Sequence, residues 1–413
     1  MTYPKSINHS QAAKLIKREL EGSALGTELM PLNAASGRIL AQPITAPIDV
    51  PAFACSRMDG FAINLHHLPP NKQTSTYVLA LGEAIHAAAQ SQSEWCVDRA
   101  IPIMTGGMLP SDANAIVLKE HGTIKENKLH FSDLPNKDQY IRTAGADLKQ
   151  GQMVIKSGQS LTVAHLGLLS SLGLSEVEVF KRPLVALMMT GDELVQPGSY
   201  CLPGQVYDAN KVMLSALLTG MGCDVQVLDT LTDSEAAVTK RMASLQQLNC
   251  DVIISVGGVS MGDKDWIPSV LEEQGEVVFH KVRVKPGFPM IFGRLKNTLF
   301  YGLPGNPVSA YTTLCQYVFP LIRKLNKQSI HKLTWRVSLS HDLNKTHYRR
   351  EYLRGYYDTD SDGRIQVTVC GGQQSSRIES LAGANCFVVL DESQYDLKTG
   401  ASISIQPFLQ FKT

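Results

Sequence analysis

Residues 251–265 read Asp251-Val-Ile-Ile-Ser255-Val-Gly257-Gly258-Val259-Ser260-Met261-Gly262-Asp263-Lys264-Asp265. A continuous aliphatic run bounded by glycines has the pattern of a buried parallel strand. A glycine-rich turn that opens a helix aims several backbone N–H groups at one point, and the helix N-terminus adds a partial positive charge. The arrangement recurs at Gly302-Leu303-Pro304-Gly305-Asn306-Pro307-Val308-Ser309. Between the two lie Lys281 and Lys285, leading into Pro286-Gly287. Two anion-type turns and two lysines point to a phosphate-like ligand. Asp265 in the first turn adds a carboxylate, and phosphate beside carboxylate calls for a divalent metal between them.

Working outward, residues 183–328 alternate strand and helix. Strands are expected at Leu184–Met189, Asp224–Leu228, Asp251–Ser255, Val277–His280 and Thr298–Tyr301, and helices near 210–221, 233–248, 266–274 and 307–325. That alternation predicts a doubly wound α/β domain with right-handed crossovers. Ligands of such sheets bind beyond the carboxyl ends of the strands. The turns at 190–194, 257–265 and 302–307 each follow a strand, so they are expected on that one edge.

The flanks differ in character. Ser10 is the expected cap of a first helix ending at Gly22, with a second short helix over Ala34–Ala41. Residues 51–147 carry short β-like runs at Tyr77–Leu81, Ala100–Met104, Ala115–Leu118 and Leu129–Phe131, with a turn at Glu126-Asn127. Residues 151–161 read as a hairpin-like element, and Thr162 caps a helix that stops at Gly173. After about residue 330 the chain is β-rich again, with Asp362-Gly363 as a hairpin signal. The organisation expected is therefore α/β multidomain. A discontinuous N-terminal mixed domain (1–50 plus 148–180) is interrupted by a small β domain (51–147). The central α/β domain (181–328) and a C-terminal β-barrel domain (329–413) follow.

The 413 residues carry 39 Lys+Arg against 38 Asp+Glu, a net charge of +1. That balance gives no global attraction to nucleic acid or to a membrane surface, so an anion site must be local. The first five residues lack the apolar segment of a secretory signal, and no apolar run is long enough to span a bilayer. The eight cysteines include no Cys-x-x-Cys pair, as expected of reduced, cytoplasmic thiols.

Each candidate has a structural alternative. Asp265 could cap the helix that starts near Trp266. Glu193, in Thr190-Gly191-Asp192-Glu193-Leu194, could bind metal or sit at a helix start. Asp208 of Tyr207-Asp208-Ala209-Asn210 reads first as a cap, and Asp233 as cap or ligand. Lys281 and Lys285 would share one face of a strand, where an anion relieves their repulsion. Arg349, Arg350 and Arg354 read as a charged surface strand or as an anion site.

These landmarks resemble the molybdopterin molybdenumtransferases, MoeA in bacteria and the gephyrin E domain in animals. The similarity lies in Met58-Asp59-Gly60-Phe61-Ala62, Met104-Thr105-Gly106, Thr190-Gly191-Asp192-Glu193-Leu194, Gly257-Gly258-Val259-Ser260, Lys285-Pro286-Gly287 and Leu303-Pro304-Gly305-Asn306-Pro307-Val308-Ser309, in the family's order. The resemblance implies a molybdopterin-binding central domain and an elongated homodimer whose active cleft lies between subunits. The implied reaction inserts molybdate into adenylylated molybdopterin and releases AMP with Mg²⁺ assistance, in partnership with the molybdopterin adenylylating enzyme. Implied catalytic residues are Asp265, Lys281, Lys285, Asp233 and Asp59, with Glu193 and Asp265 at the metal. Gly257, Gly258, Ser260, Thr105, Asp147, Pro304, Pro307, Arg349 and Ser380 are implied for cofactor binding.

Four positions depart from the family pattern. Arg57 stands where a small residue is usual, Ala146 where an acid is usual, Phe288 where a second lysine is usual, and Glu379 where a serine is common. They favour the alternative of a molybdopterin-binding or carrier protein of the same fold with weakened turnover. The adenylylating enzyme itself fits less well, because its Gly-Gly-Thr-Gly turn is absent and it lacks the flanking β domains.

Overall fold

The computed structural model describes residues 3–22, 25–68, 76–85, 98–260, 262, 265–329 and 333–408. The chain divides into two compact units. The first comprises Met1–Leu29, Gly37–Ala41 and Glu178–Thr413; the second comprises Met30–Ser36 and Gln42–Val177.

The first unit is built on a seven-stranded sheet. Its spatial order is Lys5–Ile7, Glu276–Val282, Ile291–Leu295, Thr298–Leu303, Val252–Val256, Leu184–Met189, Asp224–Val227. Only Ile291–Leu295 runs antiparallel to its neighbours. Alternate residues of the strands feed two cores, as a pleat of period two requires. Val185, Leu187, Met189, Val252, Ile254 and Val256 pack with Ile16, Leu214, Leu218 and Leu321. Ala186, Met188, Ile253 and Phe300 pack with Val238, Met242, Val270 and Leu271. Helices therefore cover both faces, and the α/β expectation holds.

Local chemistry adjusts several boundaries. Asn8, not Ser10, caps the first helix (His9–Glu19), in a capping box with Gln11. The helix expected over Ala34–Ala41 is a single 3₁₀ turn, Leu32–Ala34. Gly37 lies at φ +75°, and the backbone beyond it pairs with the strand Glu176–Phe180 instead, Leu40 opposite Val179. The hairpin read at 151–161 is a strand, Met153–Ile155, whose partner is Ile44–Thr45. Strands Lys5–Ile7 and Ile291–Leu295 carry no clear signal in the sequence pattern. The long helix after Pro307 runs as Pro307–Thr313, a π segment Leu314–Val318 and Phe319–Leu325. Pro320 falls in its last part and cannot donate to the ladder.

The C-terminal strands close on themselves. Arg350–Thr359, Ile365–Val369, Trp335–Leu339, Ser402–Pro407 and Cys386–Leu390 follow one another, and Cys386–Leu390 pairs back to Arg350–Thr359. This is the expected barrel, closed around Leu353, Val367, Val388 and Ile405. Closure leaves no exposed sheet edge to be protected.

In the second unit, six strands order as Ala115–Leu118, Gly60–Ile63, Arg99–Ile103, Tyr77–Leu81, Lys128–Phe131 and Gly122–Lys125. The Glu126-Asn127 hairpin has both residues at positive φ, as a type I′ turn demands. Thr162 caps Val163–Ser171 as expected, its hydroxyl accepting from the His165 amide.

Candidate functional site

Three adjacent strands of the large sheet, Leu184–Met189, Val252–Val256 and Thr298–Leu303, end at Thr190, Gly257 and Pro304. Their turns line one cleft of about 890 Å³. Glu193, Asp233, Gly257, Gly258, Ser260, Asp265, Pro304 and Pro307 all contribute to its wall. The expectation that these turns gather on one edge is met.

The glycines are there for close approach. Gly257 sits at φ +96°, and a Cβ on it would lie 2.7 Å from both the carbonyl oxygen and Oγ1 of Thr190. Its amide donates to the Leu303 carbonyl at 3.0 Å, which ties the second turn to the third. Gly258 follows at φ +63°. Behind this turn, the buried His280 donates from Nε2 to the Val259 carbonyl at 3.0 Å. Burial holds the His280 imidazole below its ordinary pKa, against the Val259 carbonyl bond, which favours the charged ring.

Asp265 does not cap the following helix. Its Oδ2 accepts from the Gly262 amide at 2.6 Å and closes the loop on itself. The helix Ile267–Gln274 starts without a side-chain cap. Asp233 is not a cap either, since Ser234 caps Glu235–Leu245. The Asp233 amide instead donates to Asp192 at 3.1 Å, which ties two cleft loops together. Asp208 does cap Ala209–Gly220 through Oδ1. Its buried Oδ2 has no hydrogen-bond partner among the described residues, and neither has Thr190 Oγ1. Asn210 donates to the Gly305 carbonyl at 2.7 Å. Asp208, Asn210, Pro289, Ser376 and Ile378 are wall residues that sequence reasoning did not place here.

Four carboxylates thus line the cleft, and among its described lining residues there is no lysine or arginine. The lysine pair corrects the sequence expectation. Lys281 takes a left-handed conformation, φ +66°, a conformation that costs a non-glycine residue about 1–2 kcal/mol. It is held there by its amide donating to Met290 at 2.7 Å. Pleat alternation breaks at that residue, so Lys281 and Lys285 do not share a strand face. Lys285 belongs to a second short strand, Val284–Lys285, paired with the barrel at Arg350–Glu351. Its ammonium lies 2.9 Å from the buried Glu351. Lys281 and Arg349 both stand against the Phe288 ring, at 5.9 Å and 5.8 Å from its centroid.

Ser380 accepts from Arg354 Nε at 3.1 Å and donates to the Arg377 carbonyl at 2.7 Å. Arg354 is not the surface residue expected. It is 1% exposed and also donates to the carbonyls of Gly372 and Gln374. Arg350 pairs with Asp391.

In the second unit, Thr105 donates to Asp59 Oδ1 from both its amide and its hydroxyl, each at 2.8 Å. Those two bonds lower the Asp59 carboxyl pKa. Asp147 pairs with Arg142. Among the described residues, no three His, Cys, Asp or Glu converge as a ready-made metal site.

A doubly wound domain with its cleft at three strand ends, continued into a closed barrel and joined to a separate β-rich unit, defines a multidomain α/β protein. Family models match in series along the chain. They are the MoeA N-terminal region (domain I and II) at residues 7–173, a probable molybdopterin binding domain at 186–324, and the MoeA C-terminal region (domain IV) at 336–408. A molybdopterin molybdenumtransferase of Haemophilus influenzae is 39% identical over 385 residues, covering 92% of this chain and 94% of its own. One of Bacillus subtilis is 30% identical over 389 residues, covering 92% and 89%. The crystal structure of a molybdopterin biosynthesis MoeA protein from Pyrococcus horikosii matches with a TM-score of 0.85 at 26% identity, over 98% of this chain and all of that one. The chain belongs to the molybdopterin molybdenumtransferase (MoeA) family of enzymes.

Proposed function

We propose that this protein inserts molybdate into adenylylated molybdopterin and releases AMP, in a Mg²⁺-dependent reaction. The observation that carries this reading is the convergence of three strand-end turns on one cleft lined by Glu193, Asp208, Asp233 and Asp265. The backbone amides from Gly258 to Ser260 bind the substrate's phosphates, because the missing side chains at Gly257 and Gly258 allow close approach. Pro304 and Pro307 shape the adjoining wall.

An acid-lined cleft repels a bare diphosphate, which is the argument for a cation between them. Mg²⁺ is ordinarily bound by one or two carboxylates together with substrate phosphates and water. Glu193 and Asp265 would hold it, and it supplies charge neutralisation at the breaking phosphoanhydride. Lys281, Lys285 and Arg349 are assigned to the molybdate oxyanion, and Ser380, held by Arg354, is assigned to cofactor binding. Asp59, Thr105 and Asp147 are assigned to the cleft of a partner subunit in a homodimer. The adenylylating enzyme is the proposed supplier of substrate, and the cytoplasm the proposed compartment. The chain's proposed organisation is four segments: 1–50 with 148–180, 51–147, 181–328 and 329–413.

The test is release of AMP from adenylylated molybdopterin with and without molybdate and Mg²⁺. Release that requires both supports the transferase. The second reading is a molybdopterin carrier of the same fold with weakened turnover. Tight binding without AMP release would establish it.

A further inference from the structure

The loop 281–290 contains an arrangement that the reaction above does not explain. Its backbone is fixed at both ends of a short excursion. The Phe288 carbonyl accepts from the amides of Val282 at 3.1 Å and Met290 at 2.9 Å, while the Lys281 amide donates to Met290. Gly287 lies at φ +105°, and a Cβ there would sit 2.3 Å from Thr313 Cγ2. The loop is therefore anchored, and the Phe288 ring projects from a set position, half-buried, one residue before Pro289 in the cleft wall.

Two cations share that ring, the Lys281 ammonium and the Arg349 guanidinium. Both centroid distances lie within the roughly 6 Å over which the negative face of an aromatic ring attracts a cation. Their neighbours in sequence face carboxylates, Lys285 at Glu351 and Arg350 at Asp391. Like charges brought together repel. A ring that attracts both Lys281 and Arg349 gathers positive charge beside Pro289, a residue of the cleft wall.

We propose that Phe288 is a positioning residue. Its ring holds Lys281 and Arg349 together as a pair that receives a tetrahedral oxyanion, molybdate. The proposal rests on the reading of the cleft as a molybdate-transfer site. It assigns to an apolar side chain part of the work that a further cation would do, by gathering charge rather than adding it. Molybdate affinity then depends on the electron density of one phenyl ring.

The experiment replaces Phe288 with phenylalanines carrying one, two and three ring fluorines. These keep nearly the same shape and progressively remove the negative face. Molybdate affinity is read as KM in AMP release and as Kd by calorimetry on the full chain. Both should rise stepwise, reaching roughly five- to twentyfold for the trifluoro ring, the fold-change equivalent of losing two half-exposed cation–π contacts. kcat at saturating molybdate should hold. Phe288→Leu should match the most fluorinated variant. A molybdate affinity that stays flat along the fluorine series overturns the proposal, since a purely space-filling ring is insensitive to fluorination. Lys281→Ala and Arg349→Ala separate the two levels of failure. If neither weakens molybdate binding, the reading of the site is wrong. If both weaken it while the fluorine series is flat, only the positioning role is wrong.

Discussion

Gly257→Ala is the sharpest single-atom perturbation of the cleft. The new Cβ would lie 2.7 Å from the Thr190 carbonyl oxygen and 2.7 Å from its Oγ1. The carbonyl is backbone and cannot step aside cheaply, because the Thr190 amide is itself bonded to the Val256 carbonyl at 2.9 Å. Two costs combine. Holding alanine at φ +96° costs about 1–2 kcal/mol, and overpacking against a fixed atom adds about 1–3 kcal/mol. A destabilisation of about 2–5 kcal/mol follows if the costs add. Gly222 provides the control. It lies at φ +85° with nothing within 4 Å of the position a Cβ would take, so Gly222→Ala should cost only the conformational part, about 1–2 kcal/mol. Gly305→Ala, with φ outside the positive range and a nearest contact of 3.7 Å, should be close to neutral. Urea unfolding of the three variants, followed by tryptophan emission and compared at equal slope, gives the ranking. Equal destabilisation of the Gly257 and Gly222 variants would refute the close approach between the first two turns of the cleft.

Further outcomes can be checked independently. Asp265→Asn keeps an acceptor for the Gly262 amide but removes the charge, so the fold should persist while kcat for AMP release falls on the order of 100-fold; Mg²⁺ titration of the variant locates the loss. The folded-state pKa of His280 lies below the unfolded value of 6.5, so the unfolded chain binds the extra proton first and stability should decline as pH falls below about 6.5. His280→Gln should flatten that part of the pH–stability curve. Asp342 is lowered from 3.8 to about 2 by Lys398 and Thr399. Its contribution is present above pH 3.8 and disappears as pH falls towards 2, so Asp342→Asn should remove that acid limb in a titration of melting temperature. Thr105→Val deletes one of the two bonds that lower Asp59; carboxyl carbon NMR should show the Asp59 pKa moving up.

The α/β unit could be read from the sequence because its strands are continuous aliphatic runs and its turns follow them directly. Val252–Val256 with Gly257 shows this best, and the same logic located Thr190, Glu193, Pro304 and Pro307. The antiparallel strand Ile291–Leu295 escaped because Gly293 and Arg294 interrupt its apolar run and leave neither a continuous nor an alternating pattern. Lys281 and Lys285 share a face only if period two runs unbroken between them, and a single left-handed residue at Lys281 breaks it. The bond from its amide to the Met290 carbonyl accompanies that conformation, and no spacing rule reveals it. Asp208 was legible as a cap because capping is local. The place of Asp208 on the cleft wall, with Asn210 beside it, depends on the Gly305 carbonyl, 95 residues away from Asn210. Ser376 and Ile378 reach the wall from the barrel region, a long-range contact with no periodic signature. Arg354 looked like a surface cation because arginine usually is one. Its burial rests on two carbonyls and Ser380, partners that no spacing rule reveals.

One surface decides the matter: the amide-bearing rim at the carboxyl ends of three neighbouring strands, proposed as the place where the pterin nucleotide docks. Amide hydrogen exchange on the full-length protein, with and without adenylylated molybdopterin, reads that surface directly. Protection should appear at residues 192–193, 258–260 and 305–306 together. Ligand binding that leaves all three turns exchanging at their free rates, with protection confined to other surfaces, would contradict it.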